Sequence, residues 1–172
     1  MRYDPHRHRR RSIRLRGYDY TAPGAYFVTI VVRHREPMLS QIVEGRVVLT
    51  PTGQIAQTVW CNLSRHFPRV TLDAFVVMPD HIHGIIVLNG ELQAEQAESQ
   101  PAADRIAGTR PGSLAAIVQN FKSVSARRIN QACGTPRRRV WQEDFYERIV
   151  RDEIELQRAR RYIETNPSRW RC

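Results

Sequence analysis

A single lysine, Lys122, stands among 172 residues, so nearly all of the positive charge is arginine. Cysteine is scarce as well. Cys61, Cys133 and Cys172 are odd in number, far apart and without C-x-x-C spacing. That pattern argues against a disulfide framework and against a cysteine zinc site, and it suits a reducing cytoplasm. No apolar run reaches the roughly 20 residues of a membrane span. Arg9, Arg10 and Arg11 have no apolar segment or small-residue cleavage site behind them, so no export signal is expected. Acidic residues are in deficit, 17 against 27 basic ones, for a net charge of +10. A surplus of this size points to a polyanionic partner, nucleic acid or an anionic membrane surface. Arginine's planar fork grips phosphate bidentately and stacks on bases, which favours nucleic acid. Codon bias accounts for arginine over lysine but not for the surplus itself. The length and the 41% hydrophobic content suit one domain with a real core.

The first 20 residues carry Arg9, Arg10, Arg11, Arg14 and Arg16 and read as a basic arm of the kind that lies on phosphates. Residues 25–33 are β-branched and aromatic, a well-buried strand. A short strand is expected at Arg46–Leu49. Thr50-Pro51 then pairs an N-cap with proline at the first helical position and opens a helix to about Phe67. Strands follow at 70–78 and 81–88. Residues 89–111 are polar and alanine-rich, a mobile loop without chemistry. Ser113 caps a helix to about Cys133 with Leu114, Ile117, Val118, Phe121 and Val124 inward, and Gly134 ends it. A short strand is expected at Val140–Phe145. Asp152 opens a last helix through Tyr162 to about Asn166, where Pro167 stops it. This order predicts an α+β domain, a mainly antiparallel sheet covered by helices, over the whole of 1–172.

Two short patterns carry chemistry. In His81-Ile82-His83 the imidazoles share one side of a strand while Ile82 points into the core, which makes a ready pair of metal ligands. Two half-buried histidines would give the same pattern. Tyr162 and Asn166, four residues apart, share a helix face. Amphipathic packing and a helix C-cap would account for these as well.

Five stretches, taken in order, resemble REP-associated tyrosine transposases, a branch of the HUH single-strand nucleases. They are Arg14-Leu-Arg-Gly-Tyr-Asp-Tyr, Gly24-Ala-Tyr-Phe-Val-Thr-Ile, Val76-Val-Met-Pro-Asp-His-Ile-His-Gly-Ile-Ile-Val, Gly112-Ser-Leu-Ala-Ala-Ile-Val-Gln-Asn-Phe-Lys-Ser and Arg161-Tyr-Ile-Glu-Thr-Asn-Pro. Trp141-Gln142 and Tyr146-Glu147 fall where that family has similar residues. The resemblance implies a ferredoxin-like HUH core and His81, His83 and Asn166 as ligands of Mg²⁺ or Mn²⁺. It implies Tyr162 as a nucleophile that forms a covalent 5′-phosphotyrosine on single-stranded DNA beside REP-like palindromic hairpins. A bacterial, nucleoid-associated protein acting as a monomer with Tyr162 in cis is expected, although related transposases pair two subunits. Asp80 departs from the family's usual asparagine, and its carboxylate is placed to strengthen the metal site or orient a histidine. Lys122, Arg127, Arg128, Arg137, Arg138 and Arg139 are candidate grips on the DNA backbone. Two other readings compete: a hairpin-binding regulatory protein that keeps the fold without cutting, and an RNA-binding domain with a related sheet, against which no aromatic-rich RNP-like strand is found.

Overall fold

The computed structural model describes residues 18–90 and 110–170, so all but the last three residues of the basic arm and most of the 89–111 loop lie outside the described residues. β1 (Gly24–Val31), the β2–β3 hairpin (Ser40–Val43, Arg46–Leu49), α1 (Pro51–Cys61), α2 (Leu63–His66), β4 (Val70–Val77), β5 (His81–Leu88), α3 (Leu114–Cys133), β6 (Tyr146–Val150) and α4 (Glu153–Arg169) follow in order. The main sheet is antiparallel, ordered β4-β5-β1-β6. With the hairpin set aside, the chain runs strand, helix, strand, strand, helix, strand, the split arrangement of ferredoxin-like domains. The expected α+β class therefore holds. Among the described residues no helix is long and apolar enough to cross a membrane.

The period-two pattern divides each strand between two faces. Tyr26, Val28 and Ile30 of β1 and Ile82 and Ile86 of β5 are fully buried and share a core with Trp60, Leu63, Leu114, Ile117, Val118 and Phe121 of the helices. α1 and α3 thus cover one face. The other face, with Ala25, Phe27, Ile85 and Val87, receives Leu156, Ala159 and Ile163 of α4. Burial of β5 from both sides explains why it reads as a nearly continuous apolar run broken only by its histidines and Gly84.

Local signals set most boundaries. The Thr50 hydroxyl accepts from the Gly53 amide, Ser113 from Ala116 and Asp152 from Glu155. Gly134 ends α3 in the left-handed conformation. Three expectations are corrected. The helix from Pro51 breaks at Asn62 into α1 and α2. The strand expected at Val140–Phe145 forms instead at Tyr146–Val150, leaving a lone bridge between Val32 and Trp141. The reason lies in Lys122, whose ammonium holds the carbonyls of Gln142, Glu143 and Asp144 at 3.0, 3.1 and 2.9 Å and so bends that segment away from a ladder. α4 also runs through Pro167 to Arg169. The buried stripe Ala159, Ile163 and Pro167 continues at four-residue spacing, so tertiary packing offsets the missing amide. At Ser168 this last turn also meets the Gly45 turn of the hairpin.

Gly84 sits opposite Phe75 at the centre of the sheet, where a Cβ would lie 2.3 Å from the Trp60 ring. Trp60 stacks on Phe75 at 4.8 Å between centroids and has no room to retreat. Gly84→Ala is expected to destabilise the domain by about 1–3 kcal/mol through overpacking. A urea titration would show a lowered midpoint, and an unchanged midpoint would refute the packing described.

Candidate active site

Pairing between β1 and β5 sets Val31 opposite His81 and Thr29 opposite His83. Opposed residues point to one side, so both imidazoles project from the α4 face and Ile82 enters the core. The histidines are buried, at 8% and 6% exposure, yet each ring is held from behind. Asp80 Oδ1 accepts from His81 Nδ1 at 2.5 Å, and the Thr29 hydroxyl bonds His83 Nδ1 at 2.8 Å. Arg35 Nη1 bonds the other Asp80 oxygen at 3.3 Å. The turn itself is fixed, since Val32 N donates to Asp80 O and Leu39 N to Pro79 O. Of the two tasks expected of the Asp80 carboxylate, its contact suits orienting a histidine.

With both Nδ1 atoms engaged, the two Nε2 atoms converge at 3.0 Å. Two nitrogens at right angles on bonds of ~2.1 Å stand about 3.0 Å apart, against about 3.4 Å for a tetrahedral pair. The spacing matches both a hydrogen bond between the two rings and two adjacent positions around an octahedral divalent ion, and carboxylate and hydroxyl partners behind ligating histidines are the usual support of such a site. Among the described residues, no cluster of three or more His, Cys, Asp or Glu side chains is placed to hold a metal. Among the described residues a third protein ligand would be of another type, and an amide oxygen qualifies.

α4 crosses this face antiparallel to β5. The Tyr162 ring packs edge-on against His83 at 5.2 Å and against Phe27 at 5.9 Å, while Trp170 lies 5.7 Å from His81. Tyr162, Asn166 and Trp170 recur every four residues, so Asn166 occupies the helix stripe between those two contacts. The helix is tied to the sheet by Arg160, which forks onto Asp73 at 2.9 and 2.5 Å. A register shift between Leu72 and Phe75 brings the aspartate there. That arginine holds the Asp73 carboxyl below the usual carboxylate range. Tyr162 is 44% exposed, so its phenol can meet a substrate from solvent.

The candidate DNA contacts separate. Arg9, Arg10, Arg11, Arg14 and Arg16 lie outside the described residues. The Lys122 ammonium bonds the carbonyls of Gln142, Glu143 and Asp144, which gives it a structural place on the α3 side. Arg127 and Arg128 are exposed on α3, across the sheet from the histidines. Arg137, Arg138 and Arg139 stand near the end of β1, where Arg33 N bonds Val140 O, and Arg138 is paired with Glu36. Sequence reasoning missed Thr29, Phe27, Arg160 and Trp170. Thr29 alone left a signal, a hydroxyl inside an apolar strand.

A protein of Haemophilus influenzae (strain ATCC 51907 / DSM 11121 / KW20 / Rd), described as uncharacterized, is 34% identical over 174 residues, covering 98% of this chain and 94% of its own length. The chain belongs to its family. No protein-family model matches the chain. A solved REP-associated tyrosine transposase bound to a REP hairpin superposes with a TM-score of 0.58 at 22% identity, over 88% of this chain and 70% of that one. At that identity the likeness is one of fold, the α+β sheet with helices packed on it.

Burial, reinforced by the neighbouring His81 and opposed by Asp80, pushes the His83 pKa down to about 3. Its ordinary value is about 6.5. Between these values the unfolded chain binds a proton that the folded one refuses, so stability is full above about pH 6.5 and falls as pH drops toward 3. The loss is on the order of 2 kcal/mol near pH 5. Comparing urea midpoints at pH 7.5 and 5 for the wild type and His83→Gln should show a shallower pH dependence in the variant. Identical pH dependences would refute the assignment.

Proposed function

We propose that the protein is a metal-dependent endonuclease and strand transferase that cuts and rejoins single-stranded DNA beside REP-like palindromic hairpins. The observation that carries this reading is the seating of the Tyr162 phenol 5.2 Å from one of two imidazoles whose Nε2 atoms converge at 3.0 Å. The likeness in fold to a hairpin-bound transposase and the net charge of +10 support it.

His81 and His83, with Asn166 between the two helix contacts, would hold Mg²⁺ or Mn²⁺. When bound, such an ion neutralises phosphate charge and orients the scissile group. Tyr162 Oη attacks the phosphorus: an Oη–P bond forms, the P–O3′ bond breaks, the phenol gives up a proton and the departing 3′-oxygen takes one up. A 5′-phosphotyrosine and a free 3′-hydroxyl result. Because a phosphodiester is kept throughout, the reverse attack by a 3′-hydroxyl rejoins the strand without ATP. Asp80 and Thr29 hold the rings in position, and the Phe27 edge steers the phenol. The protein would act in the bacterial cytoplasm, at the nucleoid, as a monomer with Tyr162 in cis.

The test is incubation with single-stranded hairpin DNA and Mn²⁺, read on a denaturing protein gel. A covalent adduct should form with the wild type and vanish with EDTA, with Tyr162→Phe and with His81→Ala. Asn166→Ala should reduce it. Asp80→Ala and Thr29→Val, which release the rings, should lower the rate by about 10–100-fold. Tight hairpin binding without an adduct on host palindromes would instead establish a non-catalytic hairpin-binding protein.

A further inference from the structure

The α4 face of the sheet is only partly covered. Asp73–Arg160 and the Ile85–Ala159–Ile163 packing dock the helix on the β4–β5 side. Toward β6 the same face stays open. Thr29 pairs with His83 on one side and with Tyr146 on the other, so His83, Thr29 and Tyr146 form one row across the sheet. Phe27 likewise pairs with Ile85 and with Arg148. The Arg148 guanidinium lies 5.9 Å over the Phe27 ring, which in turn touches Tyr162. Among the described residues the exposed large apolar side chains are Val43, Val48, Tyr146, Ile154 and Tyr162. Both tyrosines of that set are on this side, Tyr146 at 47% exposure.

β6 is an edge strand, and charged residues on an edge discourage pairing with other chains. That explains an arginine at 148. It does not explain an exposed phenol ring at 146 facing the histidine side. An aromatic ring beside a solvent-facing guanidinium is the pairing that binds a single strand, the ring stacking on a base and the cation meeting a phosphate. The chain's net charge of +10 is complementary to such an occupant. Two strand spacings, about 10 Å, separate Tyr146 from His83, a distance that roughly three stacked nucleotides cover.

We infer that Tyr146 and Arg148 form a strip on the open half of the sheet that seats the unpaired nucleotides next to the cleavage point, Tyr146 by stacking and Arg148 by phosphate contact. They are positioning residues. The inference rests on the proposed function for its link to cleavage, but strand binding can be read without it.

The test uses the full chain in EDTA, where no cutting occurs, and fluorescein-labelled oligothymidylate, a duplex of equal length and oligouridylate, read by anisotropy. Tyr146→Ala should weaken oligothymidylate binding by about 5–100-fold and leave duplex binding unchanged, and Tyr146→Phe should restore most of the loss. Arg148→Ala should weaken it too and reduce the salt slope by about 0.7. Circular dichroism melts confirm that each variant is folded. A folded Tyr146→Ala with wild-type affinity overturns the strip, and so does Tyr146-dependent preference for oligouridylate, which would make it an RNA site. If the wild type forms no adduct while the Tyr146 dependence holds, the nuclease reading falls and the strip stands. If the adduct survives Tyr162→Phe and is lost in Tyr146→Phe, Tyr146 is the nucleophile and its stacking role is overturned.

Discussion

Slipping β5 by one residue against β1 would carry both imidazoles through the sheet, because side chains alternate faces with period two. The observed register prevents this by matching apolar residues on the opposite face: Ile30 to Ile82, Val28 to Gly84, Tyr26 to Ile86. Each of those residues other than the glycine is fully buried. The same pairing sets the Thr29 hydroxyl against His83 and brings Val32 N to Asp80 O, which fixes the turn that orients His81. The geometry of the polar pair is thus a by-product of apolar packing on the other side of the strand.

The second constraint is how α4 lies on the sheet. Its apolar stripe, Ala159, Ile163 and Pro167, is offset from the stripe of Tyr162, Asn166 and Trp170, so burial of one aims the other at the histidines. Arg160 on Asp73 pins the helix laterally, and the bulge in β4 brings Asp73 within reach. A rigid element on each side of the site suits the proposed chemistry, in which Tyr162 and the two histidines must keep their places.

Much of this was legible in advance because it depends on local rules. The alternation of β1 and β5, the caps at Thr50, Ser113 and Asp152, and the stop at Gly134 need only neighbours in the chain. The helix through Pro167 was not legible, because its penalty is offset by burial against distant residues. Nor was the position of β6: the Val140–Phe145 segment has apolar ends, but a lysine 20 to 22 residues upstream claims three of its carbonyls. The carbonyl partners of Lys122 were not legible either, since charge is visible in a sequence and engagement is not.

By itself the sequence determined that His81 and His83 share a strand face, that Tyr162 and Asn166 share a helix face, and that the chain carries a net charge of +10. These follow from the periods of strand and helix and from the charge balance. Only the tertiary structure decided that the two faces meet, with Tyr162 over His83 and Trp170 over His81. It also decided that Thr29 and Asp80 hold the rings and that half of the sheet face beside them stays open. Those outcomes depend on the order of strands in the sheet and on where α4 docks, and both are settled by burying apolar surface among residues far apart in the chain.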